Sequence, residues 1–527
     1  MAEKNDFPEA QQGQPQAFAP LPGPAAGSGT TDPPSWAVPP ARKPMRSRRG
    51  ITVAAALVLT AVLVAATAFI TSAIVDNDGP APAAQAQDDA ANQPAPPAAP
   101  EGAAPEGAAP PNAVQPVAGA PGDLREGAVF VQSNDVVSND VVAFARKADG
   151  TLREVGRYPT GGVGSGSFED AGQGLVLGTA DGEASPIQNI DQAELLFAAN
   201  AGSGTISVFR VNPDGLELVS HVPSGGNRPV SLTVNNGLLY VLNSGEVDRR
   251  LFLGPDTLLE NCSHGDLPSV TGFRITGAGF LTPIADSTRT LSGRGTSGCS
   301  QVSFTPDGKT LVVTERIASI PGQSKDKKGV ITTFDVRFDG ALGARRLIDP
   351  SGTGPFGFTF LKNGTMIVSE QNGALANPGG GGAASYQLNS DNSLEAINGT
   401  VDNGQTDTCW IVVTDDQKLA FAANAFTGGS ITSYRIRDDG GLELLYPVAS
   451  APDGQDAAND LIQDGITDMA LSRNTDFLYQ LNSLDGSLWV FRVNADGLLS
   501  HVETHQVFDL EPFGMGGEAA PFGISVW

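Results

Sequence analysis

A chain of 527 residues is too long for one average domain and suits a short tail followed by one large repeat domain. Its formal net charge of −26 repels phosphate backbones, which excludes nucleic-acid binding, and otherwise keeps a large surface soluble. Three cysteines without a CxxC pair and four scattered histidines exclude a disulfide scaffold and a histidine-based zinc site, so neither metal nor cofactor is expected.

Residues 1–50 read as a disordered cytoplasmic tail, rich in Pro, Gly, Ala and Gln and without an apolar period. Arg46, Arg48 and Arg49 close it, and the uncharged run ITVAAALVLTAVLVAATAFITSAIV follows at 51–75. At about 1.5 Å per residue a helix of this length reaches roughly 37 Å, enough to cross a membrane. Asp76 and Asp78 come next, so the positive-inside rule puts the N-terminus in the cytoplasm and all later residues outside. A cleaved signal peptide is the competing reading, since Ala84, Gln85 and Ala86 have a small-x-small pattern. The apolar run exceeds the roughly 7–15 residues of a signal core, which favours an uncleaved anchor. Residues 76–126, with two copies of PEGAAP, form a Pro/Ala-rich linker of semi-stiff character.

From residue 127 a repeat begins. The runs VVAFARKADG, ISVFRVNPDG, VTGFRITGAG, ITTFDVRFDG, ASYQLNSDNS, ITSYRIRDDG and LWVFRVNADG place Phe144, Phe209, Phe273, Phe334, Tyr386, Tyr434 and Phe491 at one fixed position. Most copies end in Asp-Gly, hairpin chemistry in which Gly accepts positive φ and Asp bonds its own backbone, and a Leu then opens another strand. A more apolar strand precedes each hairpin and ends in Asn or Glu: AVFVQSN, LLFAANA, LLYVLNS, TLVVTER, TMIVSEQ, LAFAANA and FLYQLNS. Ahead of most of these stands a further run, as in VSLTV, VSFTP, GFTF, WIVVT and MALSR. The fold class is therefore all-β: residues 127–527 form a seven-bladed β-propeller of four-stranded blades, preceded by one transmembrane helix and disordered segments. The first repeat lacks its inner strand, and the terminal PFGISVW matches PFGFTF at 355–360, so residues 524–527 are expected to close the ring.

The phrases NAGSGTISVFRVNPDGLELVSHVPSGGNRPVSL, CSQVSFTPDGKTLVVTE, GPFGFTFLKNGTMIVSE and CWIVVTDDQKLAFAANAFTGGSITSYRI resemble the lactonase family of seven-bladed propellers over essentially all of 127–527. That family includes 6-phosphogluconolactonase and carboxymuconate cyclase types. The resemblance implies metal-independent attack on, or formation of, an internal ester in a small sugar acid or muconate. It also implies His, Arg and Glu at the channel mouth, with His at the starts of inner strands. The matching stretches here begin at Arg228, Cys299, Pro355, Thr408 and Thr467, and none contains a histidine. A general base of ordinary pKa near neutrality is thus missing from that place, and the activity does not carry over.

Propeller geometry brings the starts of the inner strands and the ends of the second strands to one rim. One set is Arg228, Gln301, Trp410 and Asp468, and the other is Asn200, Asn243, Glu315, Glu370, Asn424 and Asn482. Glu315 and Glu370 replace Asn on adjacent blades, and are candidate acid and base with Arg316 holding an anion or developing oxyanion. Arg228, Asn243, Gln301, Trp410 and Asp468 are the candidate ligand-binding residues. The competing readings are structural: asparagines that cap turns, glutamates on a solvated rim or paired with Arg316, and a tryptophan in the core. Cys262 lies in a long insertion (245–269) and Cys299 before the next inner strand, so their loops emerge on the rim of adjacent blades. A disulfide between Cys262 and Cys299 is expected outside the cell, with Cys409 a buried thiol beside Trp410. Three reduced, buried cysteines are the alternative.

The functional expectation is a membrane-anchored extracytoplasmic lactonase-like propeller that binds a small lactone or carbohydrate-like ligand at the rim. If it is an enzyme, it is a metal-independent lactonase, carboxylic-ester hydrolase or muconate cyclase-like protein. The alternative is a non-catalytic cell-envelope platform whose partner is an envelope protein. Protease shaving of intact cells tests the topology: the propeller is cut and the N-terminal tail is spared, and the reverse result would invert the orientation.

Overall fold

Two short strands joined by a tight turn each leave an apolar face uncovered, so every repeat needs a neighbour on both sides. The computed structural model shows how that need is met. It describes residues 124–179, 194–245, 267–292, 298–316, 328–374, 377–426, 429–450, 466–510 and 520–527. The expected tail, the anchor at 51–75 and all but the last residues of the linker lie outside these. Among the described residues no helix is long and apolar enough to cross a membrane.

Seven antiparallel sheets form; in blades 2 to 7 the strands run in sequence order from the axis outward, and blade 3 ends in two short outer strands, Leu281–Pro283 and Arg289–Thr290. The inner strands of blades 2 to 7 are Leu175–Gly178, Pro229–Asn235, Gly298–Phe304, Pro355–Phe360, Thr406–Val413 and Ile466–Leu471. Blade 1 takes its inner strand from the C-terminus: Ile524–Val526 pairs antiparallel with Ala128–Gln132, matching Val129 to Val526 and Val131 to Ile524. Each inner strand touches the next, and the contact from blade 7 to the C-terminal strand and on to blade 2 completes the circle. The blade 2 inner strand was not evident from the sequence, because LVLG is short and lacks the following turn chemistry.

The repeat positions explain the packing. Third-strand aromatics face the same second-strand position throughout, as in Phe144 opposite Val129, Phe209 opposite Leu196 and Phe491 opposite Leu478. All seven aromatics are buried, and each belongs to a different apolar cluster spanning the boundary with the preceding blade. Seven boundaries with seven clusters leave no weak seam. Tyr240 and Tyr479 add a polar link across two boundaries, donating to the turn carbonyls of Gly340 and Gly150 on the next blade. Second strands such as Leu195–Asn200 and Phe477–Asn482 are buried throughout, since sheet and blades cover both faces. The outermost strands alternate and carry Arg345, Arg346, His501, Glu503 and His505, so the free edges are charged and resist pairing with other chains. In the turns, Asp149, Asp339, Asp439 and Asp496 each accept from the backbone N–H two residues on. Gly150, Gly340, Gly440 and Gly497 follow with φ between 77° and 93°.

Ile524 and Val526 are buried at the closing seam, and Phe522 just before them is buried in the cluster between blades 2 and 3. Burial of three such side chains contributes about 6 kcal/mol, a large share of the roughly 5–15 kcal/mol by which domains are stable. Deleting residues 521–527 from the full chain is therefore expected to lower the melting temperature of the whole ring and to cause aggregation. A truncated protein that melts like its parent would disprove the closure.

Candidate functional site

The ends of the second strands form a row of clamps. Asn200 accepts from the Asn139 amide at 2.9 Å and donates to Thr205 and Ser207 on the third strand. Asn424 accepts from Thr408 and Asn403 and donates to Ser430 and Thr432. Asn482 accepts from the N–H groups of Leu484 and Asp485, closing an Asx turn. Asn243 donates to the Ser224 carbonyl in the loop that enters blade 3.

Glu315 and Glu370, the candidate acid and base, do the same work with a longer arm, and neither lies on a solvated rim. Both are fully buried. Glu315 accepts from Ser292 N–H and hydroxyl and from Thr332 Oγ1 at 2.6 Å. Glu370 accepts from Gly352 N–H, Tyr386 O–H and Thr400 Oγ1. Burial pushes the Glu370 carboxyl above its ordinary range, with the hydrogen bonds opposing and Asp402 adding. Each carboxylate thus binds its own blade's incoming loop and third strand. The mutual tuning expected of an acid–base pair is replaced by these separate clamps.

The mouth itself is filled by the chain. Residues 160–174 link the outer strand of blade 1 to the inner strand of blade 2, where blades 2 and 3 are linked by residues 224–228 alone. The longer link leaves the rim at a seat built by Asn134, whose Oδ1 accepts from Ser165 N–H and whose amide donates to the Ser167 carbonyl. It then crosses to the far blades. Glu169 receives both Nε and Nη2 of Arg228, at 3.2 and 2.9 Å, in a bidentate pair with both side chains buried. Asp170 pairs with Arg316, which also lies over the Phe356 ring at 5.8 Å. The Ala171 carbonyl accepts from Trp410 Nε1 at 3.1 Å, and Gly172 N–H donates to Ser300. Gln173 N–H donates to Asp468 Oδ2, and the Gln173 carbonyl accepts from Leu232. Phe168 joins the apolar cluster of Phe356, Cys409 and Trp410.

The structure therefore brings Gln301, Trp410 and Asp468 together around one axial cavity with Gln173, and sets Arg228 and Arg316 above it. That cavity has a volume of about 20 Å³, room for about one water molecule. Asn243 stays apart in the clamp row. Glu169, Asp170, Gln173 and Asp407 were missed from the sequence; the available signal was an unusually long, Gly-rich blade link carrying two adjacent acids. Four mouth residues other than glycine, Asn134, Gln173, Arg228 and Asp407, have φ between 53° and 64°, a concentration of strained backbone typical of sites.

Among the described residues of the mouth, buried acids outnumber Arg228 and Arg316. Burial pushes the Asp170 carboxyl up to about 7, and Asp407 and Glu169 add to this against the pull of Arg316. Burial likewise raises Asp407 to about 6 and Asp468 to about 7. Asp407 accepts from the Cys409 thiol, which burial pushes up. Cys299 is disulfide-bonded and Cys409 is a free, buried thiol; Cys262, the expected partner, lies outside the described residues. Among the described residues no cluster of His, Cys, Asp and Glu could hold a metal ion.

No protein-family model and no curated protein matches the sequence. Solved structures do match the fold. The periplasmic gluconolactonase of Pseudomonas aeruginosa aligns with a TM-score of 0.51 at 14% identity, covering 76% of this chain and 99% of that one. A Bacteroides fragilis protein and a Bacteroides uniformis protein, both carrying a 6-phosphogluconolactonase assignment, align with TM-scores of 0.51 at 16% and 17% identity. Each alignment covers 76% of this chain and at least 98% of the other. The resemblance read from the repeats thus holds as a likeness of fold, and fold alone does not carry activity.

The raised carboxyls make stability depend on pH. Asp170, Asp407 and Asp468 bind protons more tightly in the folded protein than in the unfolded chain, where the ordinary value is 3.8. Their contribution is complete at low pH and is lost as pH rises from about 4 to about 7, each group accounting for about 3–4 kcal/mol. The melting temperature is expected to be higher at pH 5 than at pH 7.5, and Asp468→Asn should flatten that slope. An unchanged slope in Asp468→Asn, followed by calorimetry, would remove Asp468 from the account.

Proposed function

We propose that this chain is a membrane-anchored, extracytoplasmic propeller that serves as a non-catalytic binding platform of the cell envelope. The observation that carries this reading is the segment crossing the channel mouth. It engages Arg228, Arg316, Trp410 and Asp468 with its own groups, and the cavity beside Gln173, Gln301, Trp410 and Asp468 has room for about one water molecule. A sugar lactone does not fit in that cavity. The carboxylates best placed by sequence to act as acid and base, Glu315 and Glu370, are saturated by hydrogen bonds within their own blades. A general base also needs hydrogen-bond reach to its substrate.

The reading of the rim as a site for a small lactone or sugar-like ligand keeps one specific support. Two arginines and a tryptophan converge on a single mouth, with Gln301 and Asp468 below. In this chain that site is occupied from within. Full-length protein in detergent, assayed against a panel of sugar lactones, is expected to show no turnover above buffer. Turnover that is lost in Glu370→Gln or Glu315→Gln would overturn the non-catalytic reading.

A further inference from the structure

We infer that residues 163–174 are a tethered acidic plug, and that the mouth beneath it is a site for a small soluble dicarboxylate such as a sugar diacid. This rests on the reading of the propeller as a binding module and gives that module its ligand chemistry and its gate.

The first support is what the segment places in the mouth. Glu169 and Asp170 present two carboxylates to two buried guanidiniums, Arg228 and Arg316. Bidentate pairing of this kind is how arginine recognises a carboxylate on a ligand. Beside them the Ala171 carbonyl accepts from the Trp410 indole, a bond that a ligand hydroxyl or carbonyl could take in its place. The segment is therefore a chemical copy of a polar dianion, supplied by the chain.

The second support is what the segment is made of. A permanent filler of a propeller axis gains most from apolar side chains, because replacing a buried ion pair by well-packed apolar groups is often neutral or stabilising. Here the stretch reads VGSGSFEDAGQG, and of its residues Phe168 and Ala171 enter apolar clusters while the rest are glycine or polar apart from Val163. Glycines stand at both ends of it. Gly162 and Gly164 sit so close to Asn200 and to the Asn134 backbone that an added Cβ would lie 2.6 and 2.0 Å from them. At the other end a Cβ on Gly174 would lie 2.2 Å from the Phe522 ring. The seat thus tolerates no side chain at its hinges, and the glycines leave the backbone free to turn there.

The third support is the charge count. Among the described residues Glu169 and Asp170 pair with the two guanidiniums and Asp407 is a third buried acid under the influence of Arg316, so acids there outnumber these bases. Closing is favoured by the high effective concentration of a tethered group and opposed by this crowding. A free dianion that reaches both arginines therefore competes with the plug on chemical terms, and the observed affinity is the intrinsic one reduced by the fraction of open molecules.

Two variants open the mouth by different physical means. Glu169→Gln combined with Asp170→Asn removes the tethered charges and leaves both arginines. Gly164→Ala keeps the charges and forces the segment off the Asn134 backbone. Calorimetric titration of the full-length protein with D-glucarate, and with uncharged D-glucitol as control, measures the site. Both variants are expected to bind D-glucarate at least about tenfold more tightly than the parent. Neither should gain affinity for D-glucitol, and adding Arg228→Gln to the double variant should abolish the gain. Cooperative melting of each variant shows that the ring is intact. Glucarate affinity equal to the parent's in both intact variants would overturn the plug and leave the platform reading in place. Turnover of D-glucaro-1,4-lactone by the opened variants would overturn the non-catalytic reading and leave the plug in place.

Discussion

A β-sheet with two apolar faces is stable only when both are covered, and in this chain each blade meets that condition through its two neighbours. The constraint is circular, so it can be satisfied only if the last blade also covers the first. The pairing of Ile524–Val526 with Ala128–Gln132 is where the circle is completed. It supplies blade 1 with its fourth strand and brings Val129, Ile524 and Val526 into the cluster that joins blade 7 to blade 1. Every other feature, from the axial cavity to the alignment of the rim loops, depends on the ring being closed to a fixed radius.

Within that ring the second-strand ends show how one position serves one purpose with different side chains. Asn200 and Asn424 reach the third strand through short amides, whereas Glu315 and Glu370 reach Thr332 and Thr400 through a longer carboxylate. A carboxylate only accepts, so it suits blades whose incoming loops present hydroxyls and N–H groups, as Ser292 and Gly352 do. An amide both donates and accepts, which suits blades where the loop presents Asn139 or Asn403. The change from Asn to Glu is thus a matter of local hydrogen-bond bookkeeping in which buried groups must find partners.

The mouth follows a different logic. Arg228 and Arg316 project into a region where burial makes an unpaired charge costly, and the chain answers with Glu169 and Asp170. This makes the closed mouth self-consistent, with a water-sized cavity beside Gln173 and Asp468. The solved propellers that share the fold show that the scaffold is common to proteins named as lactonases, and a shared scaffold does not carry what fills the mouth.

The sequence alone determined the repeat, the third-strand aromatics, the Asp-Gly turns and the missing inner strand. These are local patterns, set by side-chain alternation along a strand and by the φ a turn demands. The identity of Gln301, Trp410 and Asp468 as neighbours also followed, because equivalent positions of a repeat must meet on one rim. What the rim residues do could not be read in the same way. Glu315 and Glu370 stand out because they break a series, and in the structure each is hydrogen-bonded within its own blade, a contact no local pattern announces. The course of residues 160–174 was decided only by tertiary structure. The segment has no period and little apolar surface, and its partners Arg228 and Asp468 lie 59 and 295 residues from the groups they hold. Contacts of that range exist only once the ring has closed around them, so the physics that places the plug is absent from any local stretch of the chain.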